Sequence, residues 1–447
     1  MRHQLKYVRK TQYRIVKNLL SIPFAIVFLC STNGSCQQLE SDHPENQGMS
    51  SIRLSTIDRA FTDYVDKGKL PGSVILVARN GKVVYHKSFG MSDLENKIPM
   101  TNDKIFRIAS QTKALISVGI MMLQEEGKLL LSDSLSTHIP AYKNTKVAEK
   151  KGRKRYRLVN AKRPIKIRDL LTHTAGIGYG FGPAAHLWKK ADLQGWYFAH
   201  KEESILASVR KMAKLPMEAH PGEAYVYGYN TDILGAVIEV VSGQSLDVFL
   251  KERILDPLGM VDTHFYLPEH KASRLSVVYN QEGYKLVRAE ENGDDGSIEH
   301  EESQGHYVKG PRKSFSGGAG LLSTASDYAK FLQMLLNGGI YNNHRILSRK
   351  SVELMTADHM NGDHYQGVRF PWDWGTGFGL GFSITNDLGD RGTLGSVGEY
   401  GWGGAYHSNY FVNPEEKLLV VYFTQVIPIT LDDHQKLKAL VYQAIVD

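Results

Sequence analysis

Phe106-Arg107-Ile108-Ala109-Ser110-Gln111-Thr112-Lys113 runs directly into Ala114-Leu115-Ile116-Ser117-Val118-Gly119-Ile120-Met121-Met122-Leu123-Gln124-Glu125-Glu126. The apolar approach over 106–109 gives way to helical apolar spacing, which predicts an amphipathic helix over Gln111–Glu126. Ser110 then stands at the helix N-terminus, with Lys113 one turn further on the same face. A hydroxyl at that end lies near the positive pole of the helix, where developing negative charge is favoured. A lysine in a partly desolvated pocket is pushed towards its neutral form, and a neutral amine can accept the serine proton. Alone, Ser-x-x-Lys is a weak signal, expected by chance about once or twice in a chain this long. An isolated match reads as an N-cap serine beside a surface lysine. The rest of the site has to come from elsewhere in the chain.

Two further stretches provide it. Tyr227-Gly228-Tyr229-Asn230 follows the Pro221-Gly222 turn and precedes a helix start at Thr231-Asp232. A tyrosine there can hold its oxygen in a cleft and relay a proton if neighbouring cations lower its pKa. Trp402-Gly403-Gly404-Ala405 leads into a strand, and its glycines let a substrate approach the backbone closely. The N–H groups of Ala405 and Ser110 could form an oxyanion hole. Singly, each piece is a packing aromatic or a glycine turn. Together they supply nucleophile, base, relay and oxyanion site for a serine acyl-transfer enzyme without histidine.

The surrounding pattern predicts an α+β fold built from both chain ends. Near the N-terminus, Ile52–Lys67 reads as a helix, and Gly72–Ala78 and Lys82–His86 as strands joined by Asn80-Gly81, a strong hairpin signal. Near the C-terminus, Tyr406–Val412 and Lys417–Thr424 read as a second hairpin and Leu431–Val446 as a closing helix. The middle reads as helices over Gln111–Glu126, Ile167–Leu171, Glu203–Met212, Asp232–Val241, Ser245–Arg253 and Ser326–Leu336. An antiparallel sheet flanked by helices, with a mainly helical inserted region, follows. The boundaries are a leader over 1–36, a linker over 37–51 and one domain over 52–447. Its sheet part covers about 52–108 and 315–447, its helical part about 109–314. No internal repeat is present.

The 447 residues carry a formal net charge of +7. Residues 1–36 hold six Lys or Arg and no acid, so the remainder stands at +1, and nucleic-acid binding is not implied. That basic start leads into an apolar run from Leu19 to Cys30, too short for an ordinary membrane span and followed by small polar residues, which reads as an export signal. Cys36 is a candidate for lipid attachment and so for membrane anchoring, although Asn33 stands where lipoprotein signals usually carry an apolar residue. An uncleaved anchor is the other reading. Cys30 and Cys36 are the only cysteines, so the domain has no disulfide framework and no cysteine nucleophile. Ten Lys or Arg over Lys150–Arg168 and seven acids over Glu290–Glu302 read as solvated hairpins or loops, or else as groups that steer an anionic substrate. The 17 histidines form no metal-binding spacing. No metal and no cofactor is implied.

Taken together, the three motifs resemble those of the serine β-lactamase and penicillin-binding-protein superfamily: Ser-x-x-Lys, a Tyr-x-Asn element and Lys-Thr-Gly. Within it the chain is most similar to class C β-lactamase-related hydrolases, especially family VIII carboxylesterases, over roughly Ile52–Val446. Leu170-Leu171-Thr172-His173-Thr174-Ala175-Gly176, Asp256-Pro257-Leu258-Gly259-Met260 and Ser316-Gly317-Gly318-Ala319-Gly320-Leu321 support the match. The resemblance implies a β-lactamase/transpeptidase-like fold, with Ser110 as the acylated nucleophile and Lys113 as its base. It implies Tyr227 as partner base or relay, Ala405 N–H as an oxyanion donor, and Trp402, Gly403 and Gly404 along the substrate. Tyr179 would line the pocket or pack beneath it. Two departures stand out. Tyr229 occupies the Tyr-x-Asn asparagine position, and Asn230, the candidate substrate contact, is one residue late. Trp402 replaces the lysine of Lys-Thr-Gly, which favours neutral acyl groups unless an arginine such as Arg107 or Arg312 compensates. The expected protein is an exported, periplasmic or envelope serine hydrolase of small-molecule esters, amides or peptides. Esterase activity is expected to lead and β-lactamase activity to be weak. A D-Ala-D-Ala carboxypeptidase and a non-turnover penicillin sensor are the alternatives. Oligomeric state is not legible.

Overall fold

Gly72–Arg79 is buried along its whole length because both of its faces are covered. Ile75 and Val77 point to one side, where they meet Leu54, Ile57 and Phe61 of the Ser51–Asp66 helix and Leu437 and Val441 of the Asp433–Tyr442 helix. Val74, Leu76 and Ala78 point to the other, into the core shared with the Thr112–Glu125 and Ala325–Leu336 helices. A strand between two layers reads as a continuous apolar run. Each such side chain, fully buried, contributes roughly 1.5–3 kcal/mol.

The computed structural model describes residues 39–152, 155–283, 285–289, 304–360, 374–427 and 430–447. The described part of Cys36–Asp447 is one compact unit. Its sheet runs Glu40–Ser41, Lys82–Asp93, Gly72–Arg79, Leu418–Phe423, Asn409–Asn413, Tyr400–Gly403, Ser383–Thr385, Thr376–Phe378, with Ile98–Pro99 added beside Lys82–Asp93. All these pairings are antiparallel except that of Glu40–Ser41. The two chain ends meet where Gly72–Arg79 pairs with Leu418–Phe423. The α+β arrangement and the β-lactamase/transpeptidase-like fold are therefore as the sequence predicts. Asn80 and Gly81 both take positive φ, 53° and 75°, the geometry a tight Asn-Gly hairpin needs.

The differences have local causes. The linker assigned to 37–51 is, over its described part, ordered structure: Glu40–Ser41 pairs in parallel with Lys82–Val83, and Arg79 donates to Gln47 O and Gly48 O. Charged and turn residues there hide a sheet edge. The strand expected from Tyr406 starts at Asn409, because Gly404 N–H closes a turn on Ser408 O and His407 sits at φ 65°. The helix expected over Ser245–Arg253 is α-helical only to Leu250 and continues as a π turn over Lys251–Leu255. Of the basic block, Lys146–Lys150 and Tyr156–Asn160 pair as a hairpin. The acidic stretch Glu290–Glu302 and the leader over 1–36, with Cys30 and Cys36, lie outside the described residues. Among the described residues, no single helix is long and apolar enough to cross a membrane.

Candidate active site

Ser110 sits in a 3₁₀ turn, Ala109–Gln111, that feeds the Thr112–Glu125 helix, so its hydroxyl is presented at the helix N-terminus as expected. The preceding residue, Ala109, holds φ at 41°, which costs a non-glycine residue on the order of 1–3 kcal/mol and persists because the residue is wholly buried. Lys113 is only 1% exposed. Its Nζ lies 3.2 Å from Ser110 Oγ, 3.2 Å from the Tyr179 hydroxyl and 2.7 Å from Gly318 O. No carboxylate forms an ion pair with it among the described residues. Nζ also lies over the face of Tyr227, 4.6 Å from the ring centroid.

Tyr227 and Tyr179 thus close over the amine from two sides, with their rings edge-to-face at 5.7 Å. Burial, followed by the neighbouring Tyr227 and Asp232, holds the Tyr179 phenol well above its usual pKa, so it acts as a neutral hydroxyl. Trp402 donates its indole N–H to the Tyr227 oxygen across 3.2 Å. Phe378 packs edge-on against Trp402 at 5.2 Å and against Tyr225 at 5.3 Å, making an aromatic wall. His173, from the Leu170–Gly176 stretch, is buried and packs tilted against the Tyr227 ring, 4.6 Å between centroids. Burial and the charge of Lys113 push its pKa well down, so it is a neutral prop.

Asn230 takes a different place from the one anticipated. It is fully buried, and its amide donates to His173 Nδ1 at 2.9 Å, Ile177 O at 3.0 Å and Val226 O at 3.0 Å. It ties the Tyr227 turn to the His173 turn, leaving no donor for substrate. Tyr229 is also fully buried, stacked on Trp188 with its hydroxyl on Gly195 O, and it packs against the Tyr179 ring at 5.1 Å. Tyr229, at the asparagine position of the Tyr-x-Asn motif, therefore supports Tyr179, whose hydroxyl reaches the lysine.

The Trp402 segment, on a strand paired on both sides, meets the nucleophile turn. A side chain at Gly404 would come within 2.5 Å of Ile108 O, so only glycine lets the two backbones touch. Ala405, which follows directly, is exposed. Neither arginine compensates for the missing lysine. Arg107 is buried and spends its guanidinium on Ser276 O and Gln304 O, and Arg312 donates to Leu267 O and Val308 O.

Sequence reading did not pair Asp232 with Ser316 and Gly318. Asp232 is buried, and its Oδ1 accepts from Ser316 Oγ at 2.5 Å and from Gly318 N–H at 3.0 Å. A Cβ at Gly318 would overlap the other carboxylate oxygen. The Ser316-Gly317-Gly318 motif was the available signal, but its partner lies 84 residues away. Burial raises the Asp232 pKa, and the Ser316 hydroxyl and Lys113 charge pull it back. A third cluster joins His407, Asp433 and His434. The two imidazoles stack at 4.1 Å and 18°, which sends their lone pairs along nearly parallel lines and not to one point. Asp433 is engaged by His407 and Tyr422. The cluster suits support of the 404–408 turn better than metal ligation.

The Ser110 hydroxyl, the buried Lys113 amine and the Tyr179 and Tyr227 phenols thus converge at one place. The Beta-lactamase family model matches residues 57–440, and the chain belongs to that family. It is 28% identical over 378 residues to Esterase EstB of Burkholderia gladioli, covering 82% of this chain and 89% of that one. It is 25% identical over 421 residues to a putative D-alanyl-D-alanine carboxypeptidase of Escherichia coli strain K12, covering 89% and 88%. The structure of EstCE1, described as a hydrolase with promiscuous acyltransferase activity, superimposes with a TM-score of 0.74 at 27% identity, covering 88% of this chain and 99% of that one. Family and esterase relatives together make the protein a hydrolase.

Proposed function

We propose that the protein is an exported serine hydrolase that forms an acyl-enzyme at Ser110 and turns over neutral esters. The observation that carries this reading is the buried Lys113 amine 3.2 Å from Ser110 Oγ. The amine takes the hydroxyl proton as Oγ bonds the acyl carbon, and the N–H groups of Ser110 and Ala405 receive the oxyanion. Tyr227 then passes a proton to the departing alcohol as its C–O bond breaks, and water releases the acyl group by the reverse proton path. Trp402 in place of a cation, and arginines 107 and 312 turned elsewhere, support neutral acyl groups over the carboxylates of β-lactams and cell-wall peptides. Export rests on the basic-then-apolar leader over 1–36, with Cys36 as the lipidation candidate.

The test is hydrolysis of a short-chain p-nitrophenyl ester and a chromogenic cephalosporin, in parallel, by the protein and its Ser110→Ala variant. Steady ester turnover lost in the variant is expected. Faster cephalosporin turnover would make it a β-lactamase, release of a D-Ala-D-Ala terminus a carboxypeptidase, and a single burst a sensor. Equal activity in both proteins would remove Ser110 as nucleophile.

A further inference from the structure

We propose that Asp232 is a positioning residue of the active site, the remote counter-ion of Lys113, reached through Ser316 and the peptide between Gly318 and Ala319. The inference rests on the reading of Lys113 as the base. Every link points the same way. Lys113 Nζ donates to Gly318 O at 2.7 Å, and the N–H of that same peptide, on Ala319, donates to Ser316 Oγ at 3.1 Å. Ser316 Oγ–H then donates to Asp232 Oδ1 at 2.5 Å. Hydrogen bonds aligned head to tail polarise one another, so a carboxylate at one end strengthens the acceptor at the other. The Gly318 N–H, donating to the same Oδ1, fixes the carboxylate without joining the chain.

The arrangement answers a difficulty in the chemistry. When Ser110 gives up its proton, an ammonium forms at a position 1% exposed. An unpaired buried charge is costly, and a direct ion pair would lock the lysine in its charged form and spoil it as a base. A carboxylate held at one remove does neither. It lowers the energy of the ammonium while leaving Nζ free to lose the proton again. The other titratable groups facing this chain are Tyr179, Tyr227 and Tyr229 and the neutral His173. Asp232 is the one carboxyl group that this chain of hydrogen bonds reaches among the described residues.

The experiment is the pH profile of kcat/KM for p-nitrophenyl butyrate in the wild type, Asp232→Asn, Ser316→Ala and Ser110→Ala, with thermal melts to check folding. Removing the negative end favours the neutral amine. In Asp232→Asn the acidic limb should therefore move to lower pH by about one unit, and the plateau should fall about tenfold as the base weakens. Ser316→Ala keeps the charge but breaks the chain, and should move the limb the same way by less. A merely structural role would lower activity without moving the limb, and an unmoved limb in the folded variants overturns the proposal. If Asp232→Asn does not fold, the limb of Ser316→Ala decides. Activity surviving in Ser110→Ala would instead overturn the reading of Lys113, a separate failure.

Discussion

Trp402 points its indole N–H at the Tyr227 oxygen, 3.2 Å away, and stands uncharged at the position that matches the lysine of the Lys-Thr-Gly motif. That hydrogen bond fixes the orientation of the Tyr227 phenol, the group proposed to relay the proton. Trp402→Phe keeps the contact with Phe378 but removes the donor. We expect kcat for a p-nitrophenyl ester to fall about tenfold with KM little changed, the loss of one hydrogen bond made in the transition state. Trp402→Lys should raise cephalosporin turnover relative to ester turnover. Steady-state kinetics on both substrates check these outcomes.

Tyr179→Phe leaves the ring between Tyr227 and Tyr229 and deletes only the hydroxyl that faces Lys113 Nζ at 3.2 Å. Because burial keeps this phenol protonated, its loss should lower the rate by about ten- to a hundred-fold without removing an ionisation from the pH profile. A profile that loses a limb would mean that Tyr179 itself ionises during turnover.

Asn230→Ala tests structure against substrate contact. The variant leaves His173 Nδ1, Ile177 O and Val226 O without their shared donor in a fully buried site, and should destabilise the domain by about 2 kcal/mol. The melting temperature should drop, while KM of the folded fraction stays near wild type. A raised KM at unchanged stability would return Asn230 to the substrate.

Acid should destabilise the fold as two buried histidines are forced to take up protons. Burial, helped by the charge of His407, pushes His434 down to about 4; burial, helped by Lys271, does the same for His264. Between the ordinary histidine value of 6.5 and about 4, the unfolded chain binds protons that the folded chain refuses. Stability is therefore full above that window and is lost as pH falls through it. Melting temperature measured across the window should decline, and His434→Gln should flatten the decline. Asp262, held down to about 2 mainly by Arg274 and Lys271 against the opposing effect of burial, adds a further loss only at lower pH.

What the sequence determined alone is whatever depends on neighbours along the chain. Helical spacing puts Ser110 and Lys113 on one face, Asn80-Gly81 sets a hairpin, and apolar runs at both ends build one sheet. The short strands Thr376–Phe378, Ser383–Thr385 and Tyr400–Gly403 carry too few residues to show a period, and glycines interrupt the first and third. Tertiary structure alone decided which polar groups meet. Asn230 looked like a substrate contact because it stood near a motif position, but burial beside His173 spends its amide inside the protein. Asp232 looked like a residue at a helix start, yet the packing of Ser316 and Gly318 against it connects it to Lys113. Periodicity encodes which face of an element is apolar, whereas hydrogen bonds between residues 84 or 205 positions apart exist only once the elements are packed.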